Sequence, residues 1–165
     1  MELLQDFRAV HGRRWQVLLA NRGFHALIIY RLSHFLWKRH VPILPMIFSR
    51  LIQFIDGIDI DYQAEIAGGC WIIHGYGVVI GRGTIIGPNA IIFHGVTLGR
   101  SFTERKEDGY PTIGQHVFIG AGAKVLGKVK IGDFVTIGAN TVVTGDVPSH
   151  HLVYGNPCIK KQKDH

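Results

Sequence analysis

The residues best suited to chemistry are His74, which lies in a polar interruption of an aliphatic repeat, and His94, which lies in the repeat itself. The imidazole of a histidine titrates near neutral pH. It can therefore accept the proton of a hydroxyl group while that hydroxyl attacks an electrophile, a contribution of about 10²–10⁴-fold to the rate. A carboxylate on the other ring nitrogen would fix the tautomer and stabilise the imidazolium. Ten histidines occur in the chain, so only position in the fold can single out a base.

The segment 66–143 sets those positions, because an aliphatic residue returns at every sixth place over most of it. Nine intervals are six residues long, a period that neither an α-helix nor a flat strand produces. Glycine usually follows the aliphatic residue, and a small or β-branched residue stands four places after it. A short fixed period predicts a solenoid, in which each unit buries its apolar residue against its neighbours. The repeated aliphatic positions are Ile66, Ile72, Ile80, Ile86, Ile92, Leu98, Ile113, Ile119, Val125, Ile131, Ile137 and Val143.

Two intervals break the period, and such breaks indicate extruded loops in which function concentrates. The interval from Ile72 to Ile80 has eight residues and carries His74 and Tyr76. The interval from Leu98 to Ile113 has fifteen residues and encloses a polar stretch of mixed charge. That stretch is predicted to be either a mobile lid or a solvated loop. Its charged residues are Arg100, Glu104, Arg105, Lys106, Glu107 and Asp108.

The repeats resemble those of the hexapeptide-repeat acyltransferases, and the resemblance implies a left-handed parallel β-helix. The stretch from Gly23 to Trp37 is similar to the last N-terminal helix of serine O-acetyltransferases, so the resemblance covers residues 23–159. In that family the catalytic histidine follows the second repeat and its orienting aspartate lies fifteen residues earlier. The resemblance therefore implies His74 as the base and Asp59 as its orienting group, although Asp56 and Asp61 lie close by.

Counting the sides of the coils predicts how these positions stack. Three sides separate Ile72 from Ile92, so His74 and His94 should lie in successive coils, about 4.8 Å apart. If the long loop replaces one side, the same column continues through small side chains, Ala121 and Ala139. This column suits a groove for an extended ligand. The resemblance implies that coenzyme A lies in it, bound largely by backbone amides, with no metal. The candidate cofactor-binding residues are Gly99, Ala121, Gly122, Ala139, Lys160 and Lys161.

The acceptor is expected to be a saccharide, because the chain departs from serine acetyltransferases where they hold serine. Ile73 replaces an aspartate, and Gly109-Tyr110 replaces an Arg-His pair. A zwitterion that loses charged partners loses more binding free energy than an apolar ligand would. The short cap and the His-Gly-Val-Thr repeat look more like exopolysaccharide acetyltransferases of the colanic acid type. The candidate acceptor-binding residues are His94, Tyr76, Tyr110 and Arg100, and His94 serves equally well as a support for His74.

The chain is expected to divide into an α-helical cap (1–56), the β-helix (57–159) and a C-terminal tail (160–165). The predicted helices are separated by a break at Gly23 and interrupted by the prolines Pro42 and Pro45. The cap covers the first coil of an open solenoid. Its basic, aromatic-rich helices also suit peripheral docking on a membrane.

Composition limits the other functional classes and cellular locations that the protein could have. The net charge of +6 suits an anionic partner, but no aromatic-basic motif supports nucleic acid. Cys70 and Cys158 have no metal or disulfide spacing, which fits a reducing compartment. No apolar run reaches the length of a membrane span and no signal peptide is evident, so a cytoplasmic location is expected, with peripheral association at the inner face of the membrane as an addition.

The sequence therefore predicts an acetyl-CoA-dependent O-acetyltransferase with a saccharide or other small-molecule acceptor. The resemblance implies a homotrimer with active sites between subunits. The alternatives are a serine O-acetyltransferase, a catalytically silent β-helix that serves as a scaffold or sensor, and a binder of anionic lipid or nucleic acid.

Overall fold

A computed structural model describes residues 2–10, 20–101, 109–156 and 159–162, and it shows a parallel β-helix preceded by helices. The predicted fold class is confirmed. The described helices are α1 (Glu2–Ala9), α2 (Arg22–Lys38) and α3 (Leu44–Asp56), and the first strand begins at Asp59. The lid residues 104–108, the predicted helical stretch 15–19 and Cys158 lie outside the described residues.

Three sheets form the sides of the β-helix, and each of the first four described coils contributes one short strand to each sheet. The last coil reaches the second sheet only through an isolated bridge between Ile131 and Val147. The first sheet contains β1 (Asp59–Ile60), β4 (Val79–Ile80), β7 (Thr97–Gly99), β10 (Lys124–Leu126) and β13 (Val142–Val143). The second contains β2 (Glu65–Ile66), β5 (Ile85–Ile86), β8 (Thr112–Ile113) and β11 (Lys130–Ile131). The third contains β3 (Trp71–Ile73), β6 (Ile91–Phe93), β9 (Phe118–Ile119), β12 (Thr136–Ile137), β14 (His151–Tyr154) and β15 (Ile159–Gln162).

The register of the third sheet confirms the count of sides. Ile72 pairs with Ile92, Ile92 with Ile119, and Ile119 with Ile137. All the repeated aliphatic side chains are buried, as are the small residues four places after them. Alternation along each strand aims one side chain into the core and the next into solvent. The six-residue period is therefore the period of the core.

The two insertions occupy different corners of the coil. The first lies between the third and first sheets, and we call this the His74 corner (residues 74–77). The second lies between the first and second sheets, and we call it the loop corner (residues 100–111). One width of the first sheet separates the two corners within a subunit.

The cap is fastened to the first coil by polar contacts as well as by packing. Arg31 of α2 donates to Asp6 at 3.1 Å, to Glu2 at 3.0 Å and to the carbonyl of Ala67 at 2.9 Å. Asp6 is fully buried and accepts from the amide of Cys70 at 3.0 Å. A buried carboxylate requires such partners, so this network fixes α1 and α2 on the β-helix.

The expected helix break at Gly23 is wrong, because α2 begins one residue earlier. The side chain of Asn21 accepts a hydrogen bond from the amide of Phe24 at 2.9 Å, which makes Asn21 the N-cap. Gly23 lies in the first helical turn. Its role is close approach rather than termination, as the site shows.

The C-terminal strand β15 was not expected from the sequence. It runs antiparallel to β14 at the edge of the third sheet, and all four of its residues are exposed. The last coil therefore ends in a hairpin.

Candidate functional site

His74 stands in a tight, left-handed turn at its corner. Its φ of 61° matches those of His116, Phe134 and His150 at another corner, so the left-handed conformation belongs to the turns of the β-helix and does not by itself mark a site. The amide of Tyr76 donates to the carbonyl of His74 at 2.7 Å, and the amide of Gly77 donates to the carbonyl of Gly57 at 2.8 Å. These bonds turn the imidazole outward, where it is exposed.

The helical cap supports this turn from behind. A Cβ atom on Gly23 would clash with the backbone carbonyl oxygen of Ile72, so glycine lets α2 touch the strand that leads to His74. A Cβ atom on Gly57 would lie 2.9 Å from the ring of Tyr76, which therefore rests on the C-terminal cap of α3. The cap thus positions the candidate base as well as covering the core.

His94 lies beside His74, as the count of coils predicted. Their ring centroids are 6.0 Å apart and the rings are inclined at 67°, an edge-to-face arrangement. Both side chains are exposed at the His74 corner. Two imidazoles therefore face the same solvent-accessible space, and one hydroxyl group could contact both.

Asp59 lies at the same corner but does not contact the imidazole. Its carboxylate accepts from the side-chain amide of Gln53 at 3.5 Å. Among the residues that the structure describes, no hydrogen bond or ion pair joins Asp59 to His74. The half-buried Asp59 faces out of β1, since Ile60 next to it is the buried residue of that strand. Catalytic hydrogen bonds in unliganded proteins often close only when substrate binds.

A column of small residues follows the two histidines along the axis of the β-helix. Gly77, Gly95 and Gly122 stack in it, so that a Cβ atom on either of the first two would lie 3.5–3.6 Å from the next glycine. The register of the third sheet puts Ala121 and Ala139 in the column that the count of coils predicted. Within the described part of the chain, the amides of Ala121 and Ala139 donate no backbone hydrogen bond. A surface without bulky side chains and with unused N–H groups suits an extended ligand that contains amide carbonyl groups.

Sequence reasoning missed Lys124, which contacts the backbone of the turn that carries His94. Its ammonium group donates to the carbonyl of Gly95, the residue after His94. Strand pairing places Lys124 in one outward-facing column with Thr97, Val79 and Asp59. The signal was present in the sequence, since Lys124 precedes the core residue Val125 just as Asp59 precedes Ile60.

Three predicted site residues do not lie at the His74 corner. Gly99 ends β7, Arg100 follows it, and Tyr110 packs over Gly81 and Gly83 at the loop corner. A single subunit therefore cannot bring them to His74, because the strands of the first sheet run between the two corners.

The two C-terminal lysines point in different directions. Lys160 pairs with Val153 on β14 and its ammonium group donates to the carbonyl of Asp146. Lys161 is the next residue of the same exposed strand and therefore faces the opposite side. Their assignment to the phosphates of a cofactor stays a prediction.

The described residues form neither a reactive cysteine site nor a metal site. Burial raises the pKa of the Cys70 thiol to about 12, so this cysteine is protonated and shielded. In the described ranges, no group of three or more His, Cys, Asp or Glu side chains could hold a metal ion. No described helix is both long and apolar enough to span a bilayer.

Comparisons with known proteins agree with the repeats. Residues 110–145 match the model of the bacterial transferase hexapeptide (six repeats), and residues 77–101 match the hexapeptide repeat of succinyl-transferase. A serine acetyltransferase of Helicobacter pylori is 46% identical over 162 residues, which cover 98% of this chain and 94% of the relative.

Solved structures of serine acetyltransferases share the fold. The Brucella abortus enzyme in complex with coenzyme A has a TM-score of 0.93 at 32% identity, and the match covers 99% of this chain and 68% of that one. The Neisseria gonorrhoeae enzyme in complex with serine has a TM-score of 0.89 at 34% identity, over 96% of this chain and 67% of that one.

These matches overturn the saccharide acceptor expected from the sequence, and they favour an acyltransferase over a catalytically silent scaffold. The identity of 46% to a serine acetyltransferase over nearly the whole chain favours the alternative named in the sequence analysis, a serine O-acetyltransferase. The error came from an argument about missing groups. Ile73 and Tyr110 remove two known partners for a zwitterion, but other positions can supply charge.

Proposed function

The chain belongs to the serine acetyltransferase family of hexapeptide-repeat acyltransferases, and on that premise we propose that it transfers the acetyl group of acetyl-CoA to the hydroxyl of L-serine. The observation that carries the proposal is the pair of exposed imidazoles, His74 and His94, at the head of a column of stacked glycines. This arrangement offers a base for the hydroxyl and an unobstructed surface for an extended thioester.

The proposed reaction is a direct transfer. His74 removes the proton of the serine hydroxyl as the oxygen attacks the thioester carbon, and Asp59 stabilises the imidazolium after rotating away from Gln53. Collapse of the tetrahedral intermediate breaks the carbon–sulfur bond. The imidazolium returns the proton to the departing thiolate, so one ester and one free thiol are formed. The mechanism uses no cysteine, in keeping with the buried thiol of Cys70.

The amino acid requires a cation for its carboxylate, and we assign this role to Lys124. An ammonium group has three donors, of which one is used by the Gly95 carbonyl. The remaining two can bind a carboxylate that lies over the outward column of the first sheet, with the hydroxyl toward the histidines. Lys124 would thereby replace the charge that the sequence lacks at Tyr110.

Acetyl-CoA fits along the column of stacked glycines as a second substrate. Its pantetheine arm carries amide carbonyl groups, which the unused amides of Ala121 and Ala139 can bind beside Gly122. Lys160 and Lys161 are proposed to meet the phosphates, since a flexible ammonium group binds phosphate as a point charge.

We further propose a homotrimer whose active sites lie between subunits. In one subunit, Gly99, Arg100 and Tyr110 lie at the opposite edge of the first sheet from His74. A site that uses both corners therefore requires the loop corner of one subunit to face the His74 corner of the next. Tyr76, which is 68% exposed, would line the same interface. The expected cytoplasmic location stays a prediction.

The test is release of coenzyme A thiol from acetyl-CoA with L-serine, with D-serine and without acceptor. We expect saturable release with L-serine only, and loss of this release in His74→Ala. Binding of acetyl-CoA without any serine-dependent release would overturn serine as the acceptor. Failure to bind acetyl-CoA would overturn the assignment of the protein as an acetyl-CoA-dependent enzyme.

A further inference from the structure

The outer surface of α3 is apolar, although nothing in the described chain covers it. The residues of α3 that face the protein are Pro45, Ile52 and Asp56, which recur at helical spacing. The opposite side presents large hydrophobic side chains, and Phe54 is 90% exposed. We call this surface the α3 face, and it comprises Leu44, Met46, Ile47, Leu51, Phe54 and Ile55, with Ile43 in the preceding turn.

The positive charge of the protein is concentrated in the same part of the chain. Eight of the 18 Lys and Arg residues, and none of the 12 Asp and Glu residues, fall between positions 7 and 55. The rest of the chain therefore has ten basic and twelve acidic residues. Most of the net charge of +6 therefore belongs to the helical cap (1–56), whose eight basic and three acidic residues leave +5, and residues 57–165 contribute +1.

Exposed cations border the α3 face. Arg50 lies on the face itself, next to Phe54 at helical spacing, and its guanidinium donates to the side chain of Gln53 at 2.6 Å. Arg39 follows α2 just before Ile43, and its guanidinium lies 5.0 Å from the ring centroid of Phe35. Lys38 is exposed too, but it lines a cavity with Glu2 and Glu65 and does not belong to this border. The acidic groups of α1 are engaged elsewhere, because Glu2 and Asp6 pair with Arg31.

We propose that the α3 face docks the enzyme on an anionic lipid surface. Large apolar side chains rimmed by basic residues are the features by which a helix lies in the interface of a bilayer, with its charged groups among the lipid headgroups. The helix is too short to span the bilayer, so the association is peripheral. The opposite end of the β-helix, with β15, would then point away from the membrane.

The experiment measures co-sedimentation of the full chain with vesicles of phosphatidylcholine alone and of equimolar phosphatidylcholine and phosphatidylserine. We expect binding only to the anionic vesicles, and a decrease as salt is raised, because charge contributes to the affinity. Phe54→Gln should weaken the partition coefficient about tenfold, since it removes one apolar anchor without disturbing the core.

Matched variants distinguish vesicle binding through the α3 face from nonspecific hydrophobic adsorption. Ile47→Gln changes a residue that is 49% exposed on the α3 face, and Ile85→Gln changes one that is 43% exposed on the second sheet. Only the first should lose vesicle binding. Arg50→Gln should likewise weaken binding, whereas Lys130→Gln on the β-helix should not.

Two results would overturn the proposal. The first is equal, weak binding of wild type and Phe54→Gln to both kinds of vesicle. The second is a smaller oligomer for Phe54→Gln than for wild type without lipid, which would make the α3 face an interface between copies of the chain. Neither readout depends on turnover, so the proposed reaction stands or falls separately.

Discussion

The imidazole rings of His74 and His94 meet edge to face, with 6.0 Å between their centroids, although twenty positions separate them in the sequence. One turn of the β-helix brings them together, since Ile72 pairs with Ile92 in the third sheet. The two imidazole rings are thus brought together by the pairing of neighbouring coils.

His74→Ala should lower kcat by about 10²–10⁴-fold, because the serine hydroxyl then has no base. His94→Ala should mainly raise the KM for serine. His116→Ala, which alters an exposed histidine at another corner, should leave both constants unchanged. Steady-state kinetics with acetyl-CoA saturating decide the matter, and a His74→Ala enzyme with wild-type kcat would refute the assignment.

Asp59→Asn should lower kcat by about 10²-fold or more, because an amide cannot stabilise the imidazolium. Asp61→Asn is the matched control, since its carboxylate accepts from the amide of Gln63 at 2.8 Å and lies toward the loop corner. Equal losses in the two variants would show a structural effect of the first coil and not a role for Asp59 in catalysis.

Lys124→Met should raise the KM for serine about 10- to 100-fold and leave the KM for acetyl-CoA near its wild-type value. The change removes a charge-assisted contact with the carboxylate, a loss of about 1.5–3 kcal/mol. Lys124→Arg should recover part of the affinity. If neither variant changes the KM for serine, the carboxylate is bound elsewhere.

Gly23→Ala should reduce turnover and destabilise the protein, because the added methyl group pushes α2 from the strand before His74. A displacement of this kind costs about 1–3 kcal/mol of the free energy of unfolding. Gly145→Ala is the control, since the nearest atom to its new methyl group would lie 3.9 Å away. Chemical denaturation of both variants, followed by assay, would show the difference. A Gly23→Ala protein as stable and active as wild type would contradict the close approach.

Thr141→Val should stabilise the fold by about 1 kcal/mol, because the buried hydroxyl of Thr141 has no hydrogen-bond partner among the described residues. Thr84 is buried at an equivalent place, but its hydroxyl donates to the carbonyl of Leu98 at 3.3 Å. Thr84→Val should therefore be neutral or destabilising. The same stabilisation in both variants would mean that hydrophobic packing, and not the unpaired hydroxyl, determines the result.

The repeat predicted the coils and the neighbours of His74, because each core residue of a β-helix fixes one strand and its register. The repeat also put Lys124 in the outward-facing column of Asp59, but it could not give the direction of the long side chain, on which the contact with the Gly95 carbonyl depends. Gly23 was misread as a helix break, since a glycine needed for close approach and one that ends a helix look alike in sequence. The acceptor was predicted wrongly because Ile73 and Tyr110 show only that two known contacts to serine are missing. They do not show which other residues could bind serine instead.

The most direct test of the account is detection of O-acetyl-L-serine by mass spectrometry after incubation with acetyl-CoA and L-serine. Wild type should form the acetylated product in amounts equal to the coenzyme A thiol released, and His74→Ala should form almost none. Release of thiol by wild type without O-acetyl-L-serine, or equal product from both proteins, would contradict a serine acetyltransferase that uses His74 as its base.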